Sequence, residues 1–263
     1  MPVRTRPSTS PLRRIAVSAV TVVALTGLTA CSSPPGGTTS ASPGSVGSSG
    51  GRQSLDAPSD VATGLNVPWS TAVLPTGDVL VSERESALVK RIGLNGQTRE
   101  IGRVPDVVAA GEGGLLGIAI DPATYAATPV LYAYLTAADD NRVLSIPLQG
   151  DGLGQPTTVL TGIPKASNHN GGRLAFGPDG FLYVTTGDAA TTSRAQDLGS
   201  LGGKILRVTA QGQPAPGNPF AGSPVWSYGH RNVQGIAWDA SGRMWASEFG
   251  QNTWDELNVI TPG

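Results

Sequence analysis

The sequence predicts an all-β protein whose strands form about four blades of a β-propeller. A strand–turn–strand pattern occurs four times, aligned on Ala72, Ala119, Ala175 and Ala237 at steps of 47, 56 and 62 residues. Strand repeats of roughly 40–50 residues are typical of propeller blades, and insertions would lengthen the later steps. Glycine (36) and proline (21) are abundant, as many tight turns require. No long stretch shows the apolar period of a helix.

The repeats are joined by turns whose residues suit a hairpin. Pro75-Thr76-Gly77 and Pro178-Asp179-Gly180 each stand between two apolar segments. Proline presets φ at the first corner of such a turn, and glycine accepts a positive φ at a later one. The segments that follow, residues 78–82 and 181–185, are rich in β-branched and aromatic residues. Because they are apolar on both faces, we expect them to be inner strands packed between neighbouring blades.

Polar residues recur at fixed distances after these turns. Six positions beyond the turn glycine lie Glu83, Thr186 and Glu248, and eight positions beyond it lie Asp188 and Gly250. Equivalent strand ends of propeller blades meet around one axis. These residues are therefore expected to share a site at one mouth of the channel. The alternative is that acidic residues simply end strands at the protein surface.

The first 30 residues are predicted to be a lipoprotein signal peptide. Four arginines precede an apolar segment, 15–28, that is too short to span a bilayer. The sequence Leu28-Thr29-Ala30-Cys31 resembles a bacterial lipobox, in which cleavage leaves Cys31 to carry lipid. We therefore expect an exported protein, lipid-anchored on the outer face of the bacterial cytoplasmic membrane. A secretory peptide with an incidental cysteine is the alternative, and a single cysteine allows no internal disulfide.

The rest of the chain divides into a tether and one domain. Residues 31–54 follow as a disordered tether, since their Ser, Gly, Pro and Thr cannot bury enough surface to offset ordering entropy. Residues 55–263 are expected to form one partial β-propeller domain. Without the four arginines of the signal, 14 basic residues face 19 acidic ones, a net charge of −5. This charge gives no support to a nucleic-acid partner.

The two histidines stand in unusual polar, glycine-bearing segments. His169 lies within residues 167–173, a few residues before a predicted strand, and His230 lies within 228–235. Asp188 ends the second predicted strand of the hairpin that follows His169. A carboxylate there could hold the second imidazole nitrogen of His169 and select its tautomer. His230 is interpreted as structural.

Several segments together resemble the quinoprotein sugar dehydrogenases, a family that includes soluble glucose, aldose sugar and sorbosone dehydrogenases. In chain order, they are residues 67–69 (VPW), 111–117 (GEGGLLG), 169–173 (HNGGR), 203–207 (GKILR), 229–232 (GHRN) and 254–258 (WDELN). They cover the chain from about residue 60 to its end. The resemblance implies a six-bladed β-propeller with pyrroloquinoline quinone (PQQ) and Ca2+ at the channel mouth, of which about four blades are present here.

The resemblance also implies catalytic and cofactor-binding roles. His169 matches the general base that takes a proton from the sugar C1 hydroxyl, and Asp188 matches the carboxylate that orients it. Arg231 matches the arginine beside the quinone carbonyl, where a cation would stabilise developing charge. Asn232 and Glu112 match cofactor contacts, although some relatives carry glutamine at the position of Glu112. The alternative for Arg231 is an ion pair between blades.

For calcium, the resemblance points to three residues near the end of the chain. They are Gly250 and Gln251, through their carbonyl oxygens, and Glu256, through its carboxylate. Hard oxygen ligands from a loop suit Ca2+. Glu256 and its neighbour Asp255 could instead be ordinary surface charges.

The implied activity is PQQ-dependent oxidation of the C1 hydroxyl of aldose sugars to the lactone. The expected partners are an aldose sugar, an external electron acceptor and the membrane, through lipid on Cys31; a homodimer is compatible with the sequence. The family pattern continues into further blades beyond Gly263, so we expect a fragment, a truncated product or a chain that needs a partner. Two alternatives remain: a non-catalytic surface lipoprotein that binds sugar or protein, and a calcium-dependent lactonase-like hydrolase.

Overall fold

The computed structural model describes residues 57 and 59–263. The predicted signal peptide, Cys31 and tether lie outside these residues. Within the described part, sixteen strands and one short helix are found. No helix there has both the length and the apolar character needed to cross a membrane.

The strands form four antiparallel sheets that follow one another along the chain. The first contains β1 (Pro68–Val73), β2 (Val79–Glu83), β3 (Leu88–Ile92) and β4 (Thr98–Arg103). The second contains β5 (Leu115–Ile120), β6 (Val130–Thr136), β7 (Asn141–Gln149), the short β8 (Gly152–Leu153) and β9 (Thr157–Ile163). The third contains β10 (Leu174–Phe176), β11 (Leu182–Thr185), β12 (Lys204–Val208) and β13 (Val225–Tyr228), with helix α1 (Ser193–Gln196) between β11 and β12. The fourth contains β14 (Val233–Trp238), β15 (Met244–Glu248) and β16 (Glu256–Ile260).

This arrangement confirms the predicted all-β propeller with about four blades. The four aligned alanines lie in β1, β5, β10 and β14, the first strand of each sheet. The segments after the turns are inner strands of their sheets, as the sequence predicts. They are β2 and β11, each flanked by two strands of its own sheet, and the first strands of neighbouring sheets contact one another. β11 is buried on both faces because the third sheet packs between the second and the fourth, and β2 packs against the second sheet.

The predicted turns are present and share one geometry. Gly77, Gly180 and Gly242 have φ values of 90°, 78° and 81°. In the first turn, the N–H of Gly77 donates to the carbonyl of Leu74, and the N–H of Leu74 donates to the carbonyl of Asp78. The equivalent two hydrogen bonds are present in the other two turns, and all six measure 2.8–3.0 Å. A side chain at the glycine position would be strained in this left-handed conformation, which explains the residue choice.

The hydrophobic core lies between the sheets. One cluster joins the first and second sheets around Leu80, Val89 and Leu131. A second joins the second and third sheets, and a third joins the third and fourth around Tyr183 and Met244. Each sheet is therefore held chiefly by side-chain packing against its neighbours.

Arg173, just before β10, ties the first strands together. Its Nε donates to the carbonyl of Gln234 (2.8 Å) and its Nη1 donates to Ser70 Oγ (2.7 Å). Ser70 Oγ also accepts from the N–H of Ile118 (3.2 Å), and the guanidinium lies 4.4 Å from the ring centroid of Trp69. These contacts link all four sheets near their first strands, which sets the relative position of the loops that precede them.

Candidate active site

The predicted site residues lie in loops at one end of the sheets. In each antiparallel pair, the start of the first strand faces the end of the second, as in Pro68 with Glu83 and Val233 with Glu248. The loops that lead into first strands and leave second strands therefore lie at the same end. Glu112, His169 and Arg231 precede first strands, and Asp188 follows a second strand.

His169 and Asp188 form the pair that the sequence predicted. His169 Nδ1 lies 2.8 Å from Asp188 Oδ1, and the side chain of Asp188 is only 2% exposed. The same oxygen accepts from the N–H of Ala190 at 2.9 Å. Within the described residues, the other ring nitrogen, Nε2, makes no hydrogen bond, and it is not among the buried atoms without a partner. The carboxylate therefore favours a proton on Nδ1 and leaves the Nε2 lone pair open to a ligand.

The backbone of His169 is held by the neighbouring loops. Its N–H donates to Glu112 Oε2 (2.7 Å), and its carbonyl accepts from the N–H of Ala189 (3.1 Å). Glu112 Oε2 also lies 3.5 Å from Asn232 Nδ2, and Asn232 Oδ1 accepts from the N–H of Gly171 (2.9 Å). The residues predicted to be the base and the cofactor contacts thus form one continuous hydrogen-bonded cluster.

Arg231 extends this cluster toward the fourth sheet. Its Nη1 donates to the carbonyl of Phe249 (3.0 Å) and its Nε to Gln251 Oε1 (3.2 Å). Among the residues that the structure describes, no carboxylate oxygen lies within 4.0 Å of its guanidinium. The described part of the chain therefore contains no ion pair between blades at this residue. Its half-exposed cation has only neutral acceptors, which suits a negatively charged ligand.

His230, the other histidine, is part of the interior. Its ring nitrogens pair with Ser227 Oγ (2.8 Å) and Glu248 Oε2 (3.0 Å). Glu248 Oε1 accepts from the backbone N–H groups of Arg231 and Asn232. With both nitrogens engaged, the ring has none left for a ligand, which agrees with the structural interpretation. Glu248 instead fixes the backbone beneath Arg231.

The environment of Glu248 predicts a pH-dependent stability. Burial raises the pKa of its carboxyl, but hydrogen bonds from His230 and from the N–H groups of Arg231 and Asn232 bring the pKa below its ordinary value of 4.5. A carboxyl whose pKa is lowered by folding contributes stability that is present above its unfolded pKa and is lost as the pH falls through its folded pKa.

We therefore expect Glu248→Gln to be less stable than the wild type near pH 7, and the difference to shrink as the pH falls below the ordinary carboxyl pKa of 4.5. The free energy of unfolding, measured by urea denaturation at each pH, tests this. A difference that stays constant over this range would contradict the assigned role of the ionised carboxylate.

The residues predicted to hold calcium lie beside Arg231. Gly250 and Gln251 belong to the loop between β15 and β16, and Glu256 begins β16, where it accepts from Asn258 Nδ2 (3.0 Å). Arg231 and Glu256 line the same cleft, which has a volume of about 400 Å³. The described residues contain no group of three or more His, Cys, Asp or Glu side chains arranged for a metal. The calcium site stays a prediction that depends on carbonyl ligands.

A buried amide network behind His169 was missed by sequence reasoning. Asn170 is 1% exposed and Asn141 is 0% exposed, and their side chains are hydrogen-bonded to each other (3.0 Å). Asn170 follows His169 in the quoted HNGGR segment, and its position could have drawn attention to it. Asn141 carries no comparable signal, because it is distant in sequence and begins an ordinary strand.

Several known proteins are similar to this chain in sequence or in fold. The model of the Glucose / Sorbosone dehydrogenase family matches residues 65–263. The aldose sugar dehydrogenase YliI of Escherichia coli is 35% identical over 214 residues, which are 76% of this chain and 58% of that protein. Quinoprotein glucose dehydrogenase B of Acinetobacter calcoaceticus is 29% identical over 240 residues, covering 77% of this chain and 50% of that one.

Among solved structures, the PQQ-bound aldose sugar dehydrogenase of Streptomyces coelicolor superposes with a TM-score of 0.75 at 58% sequence identity. The match covers 77% of this chain and 62% of that one. The chain thus spans between half and less than two thirds of the length of these three proteins. Because the family model matches most of the chain, from the start of the first sheet to its last residue, the chain belongs to the glucose/sorbosone dehydrogenase family.

Proposed function

We propose that this chain carries the proton-accepting half of a PQQ-dependent aldose dehydrogenase. The reaction is the oxidation of the C1 hydroxyl of an aldose to the lactone, with electrons passing to an external acceptor. One observation carries the proposal: the imidazole of His169 is held by buried Asp188, and its Nε2 is left open, in a cluster that continues to Arg231. The similarity to the PQQ-bound enzyme of Streptomyces coelicolor supports the choice of cofactor.

His169 accepts the proton of the reacting hydroxyl at Nε2. Asp188 accepts the hydrogen bond from Nδ1–H, so the lone pair on Nε2 points to the site and the imidazolium that forms is stabilised. The imidazole is mostly shielded, with 12% of its side chain exposed. Limited access of water strengthens the hydrogen bond to the carboxylate during proton transfer.

Three residues would hold PQQ in this proposal. When bound, PQQ would supply the hydride acceptor, and its quinone and carboxylate oxygens would need cationic and hydrogen-bonding partners. The guanidinium of Arg231 fits that need, since its acceptors in the described part of the chain are a carbonyl and an amide oxygen. Asn232 and Glu112 stand beside it, and both also contact the backbone around His169.

Calcium would be held by the loop after β15. The carbonyl oxygens of Gly250 and Gln251 and the carboxylate of Glu256 supply three ligands of the type that Ca2+ prefers, out of the six to eight that it takes. The remaining ligands would come from elsewhere, including water. The hydrogen bond from Arg231 Nε to Gln251 Oε1 (3.2 Å) supports placing this loop near the proposed PQQ contact Arg231.

Reconstitution tests the proposal. The purified chain, and the longest version that its gene encodes, would be mixed with PQQ and Ca2+ and assayed for aldose-dependent reduction of an artificial electron acceptor. We expect turnover that requires PQQ in at least one of the two proteins. Sugar binding without turnover in either protein would contradict the dehydrogenase proposal and favour a binding lipoprotein.

A further inference from the structure

We propose that Asn141, the first residue of β7 in the second sheet, is a positioning residue for His169. It does not reach the proposed reacting atoms. It acts through the segment 164–170, which contains His169. The inference rests on the proposed role of His169 as a base, but the contacts that carry it are independent of that role.

The Asn141 side chain holds both ends of this segment. Its Nδ2 donates to the carbonyl of Pro164 (2.8 Å) at one end and to Asn170 Oδ1 (3.0 Å) at the other. Its Oδ1 accepts from Thr136 Oγ1 (2.7 Å), which orients the amide. All three polar contacts are made by a side chain that is 0% exposed. A buried amide with its hydrogen bonds formed specifies one arrangement of the groups around it, because any other leaves a polar atom unpaired.

Asn170 passes this constraint to the neighbouring backbone. Its Oδ1 also accepts from the N–H of Ala166 (3.2 Å), its Nδ2 donates to the carbonyl of Ala166 (2.9 Å), and its own carbonyl accepts from Tyr134 Oη (2.8 Å). The segment is thus closed on itself and attached to the second sheet. The second sheet therefore determines where His169, in the loop before the third sheet, presents its imidazole.

The backbone of His169 needs such support. Its φ is 57°, in the left-handed region that residues other than glycine seldom adopt. This conformation costs energy and persists only where surrounding contacts impose it. Asn141 and Asn170 hold the residues before and after His169, so their loss should let the imidazole move away from Asp188.

The two histidines of the chain make this testable by NMR. Only His169 and His230 contribute imidazole signals. In histidine-labelled protein, the ring 15N shifts report the ratio of the Nδ1–H to the Nε2–H tautomer. In the wild type we expect His169 to be mainly Nδ1–H, because Asp188 accepts that proton. In Asn141→Ala we expect this ratio to fall by roughly fivefold or more, the effect of losing one net hydrogen bond.

His230 and a second amide serve as controls. The His230 signals should stay in place in Asn141→Ala, which shows that the fold is kept. Asn218→Ala removes a half-buried amide that donates to the carbonyl of Arg207 in β12 and to that of Ser223 before β13. We expect it to leave the His169 tautomer ratio unchanged. An equal change in both variants would overturn the proposal, and so would an unchanged ratio in folded Asn141→Ala.

A milder variant decides the question if Asn141→Ala does not fold. Thr136→Val keeps the shape of the side chain and removes only the hydrogen bond to Asn141 Oδ1. We expect a smaller shift of the same sign in the His169 tautomer ratio, and no shift would overturn the proposal. Failure of the dehydrogenase proposal would be seen in the reconstitution assay, whereas these spectra report the position of His169 without cofactor or sugar.

Discussion

Replacing His169 by alanine is expected to lower kcat/KM for aldose oxidation by about 10²–10⁴-fold, the usual contribution of a general base. The assay is performed on whichever reconstituted protein turns over, with PQQ and Ca2+ saturating. PQQ affinity, measured by titration, should change little. The reason is that the imidazole acts on the hydroxyl proton, whereas the proposed PQQ contacts are Arg231, Asn232 and Glu112.

Asn168→Ala is the matched control for this substitution. Asn168 is the preceding residue, and its side chain accepts only a long hydrogen bond (3.5 Å) from Ser167 Oγ. It should therefore retain near wild-type kcat/KM. If His169→Ala turned over as fast as this control, the assignment of the base would be wrong, even if the family and the fold are as described.

Replacing Gly187 by alanine is expected to destabilise the protein by more than about 3 kcal/mol, at the upper end of overpacking effects. A Cβ built on Gly187 would lie 1.8 Å from the carbonyl oxygen of His169 and 2.3 Å from its carbonyl carbon. Both are backbone atoms, so no side-chain rotation can relieve the overlap. Either the strand end after β11 or the His169 backbone must move, and both carry parts of the proposed site.

Gly180→Ala separates this overlap from the general effect of adding a methyl group to a glycine. Gly180 has a φ of 78°, but a Cβ there would meet nothing within 4 Å. Its substitution should cost about 1–2 kcal/mol, the strain of an alanine in the left-handed region. Urea denaturation of both variants measures the difference. If Gly187→Ala were no more destabilising than Gly180→Ala, the close approach of the two backbones would not exist in solution.

His169 and Gly187 meet at one point of the fold. Gly187 lies directly before Asp188, and its missing Cβ lets the His169 carbonyl come close. That approach brings the imidazole within 2.8 Å of the Asp188 carboxylate. A defect at Gly187 should therefore reduce both stability and any activity that depends on the pair.

Much of the fold could be predicted from local chemistry. Gly77, Gly180 and Gly242 indicate turns because only glycine adopts their backbone conformation without strain. Alternating turns and β-branched segments then predict strands, and their repeat predicts blades. The order of strands within a blade could not be obtained in this way. β2 and β11 are buried on both faces, and burial alone does not distinguish an axial strand from the next one outward.

The candidate site was predictable to the extent that its chemistry lies in short segments. His169, Asp188, Arg231, Asn232 and Glu112 were chosen from motifs, and the structure brings them into one cluster. The function of the cluster remains the proposal set out above. The calcium residues were chosen in the same way, and they lie in the adjacent loop and strand without an acidic cluster among the described residues.

Residue types and their spacing were sufficient for the strands and the turns, because each depends on the conformation of a few consecutive residues. The resemblance to a known family selected the candidate site residues, because it rests on short motifs. The contacts that orient those side chains depended on the folded chain. Asn141 lies in the second sheet and holds the segment that carries His169. Arg173 is hydrogen-bonded to Gln234, 61 residues later in the chain, and to Ser70, 103 residues earlier. Such contacts form when sheets pack around a common axis. Hydrogen bonds between distant residues leave no periodic mark in the sequence, so the partners of Asn141 and Arg173 could be found only in three dimensions.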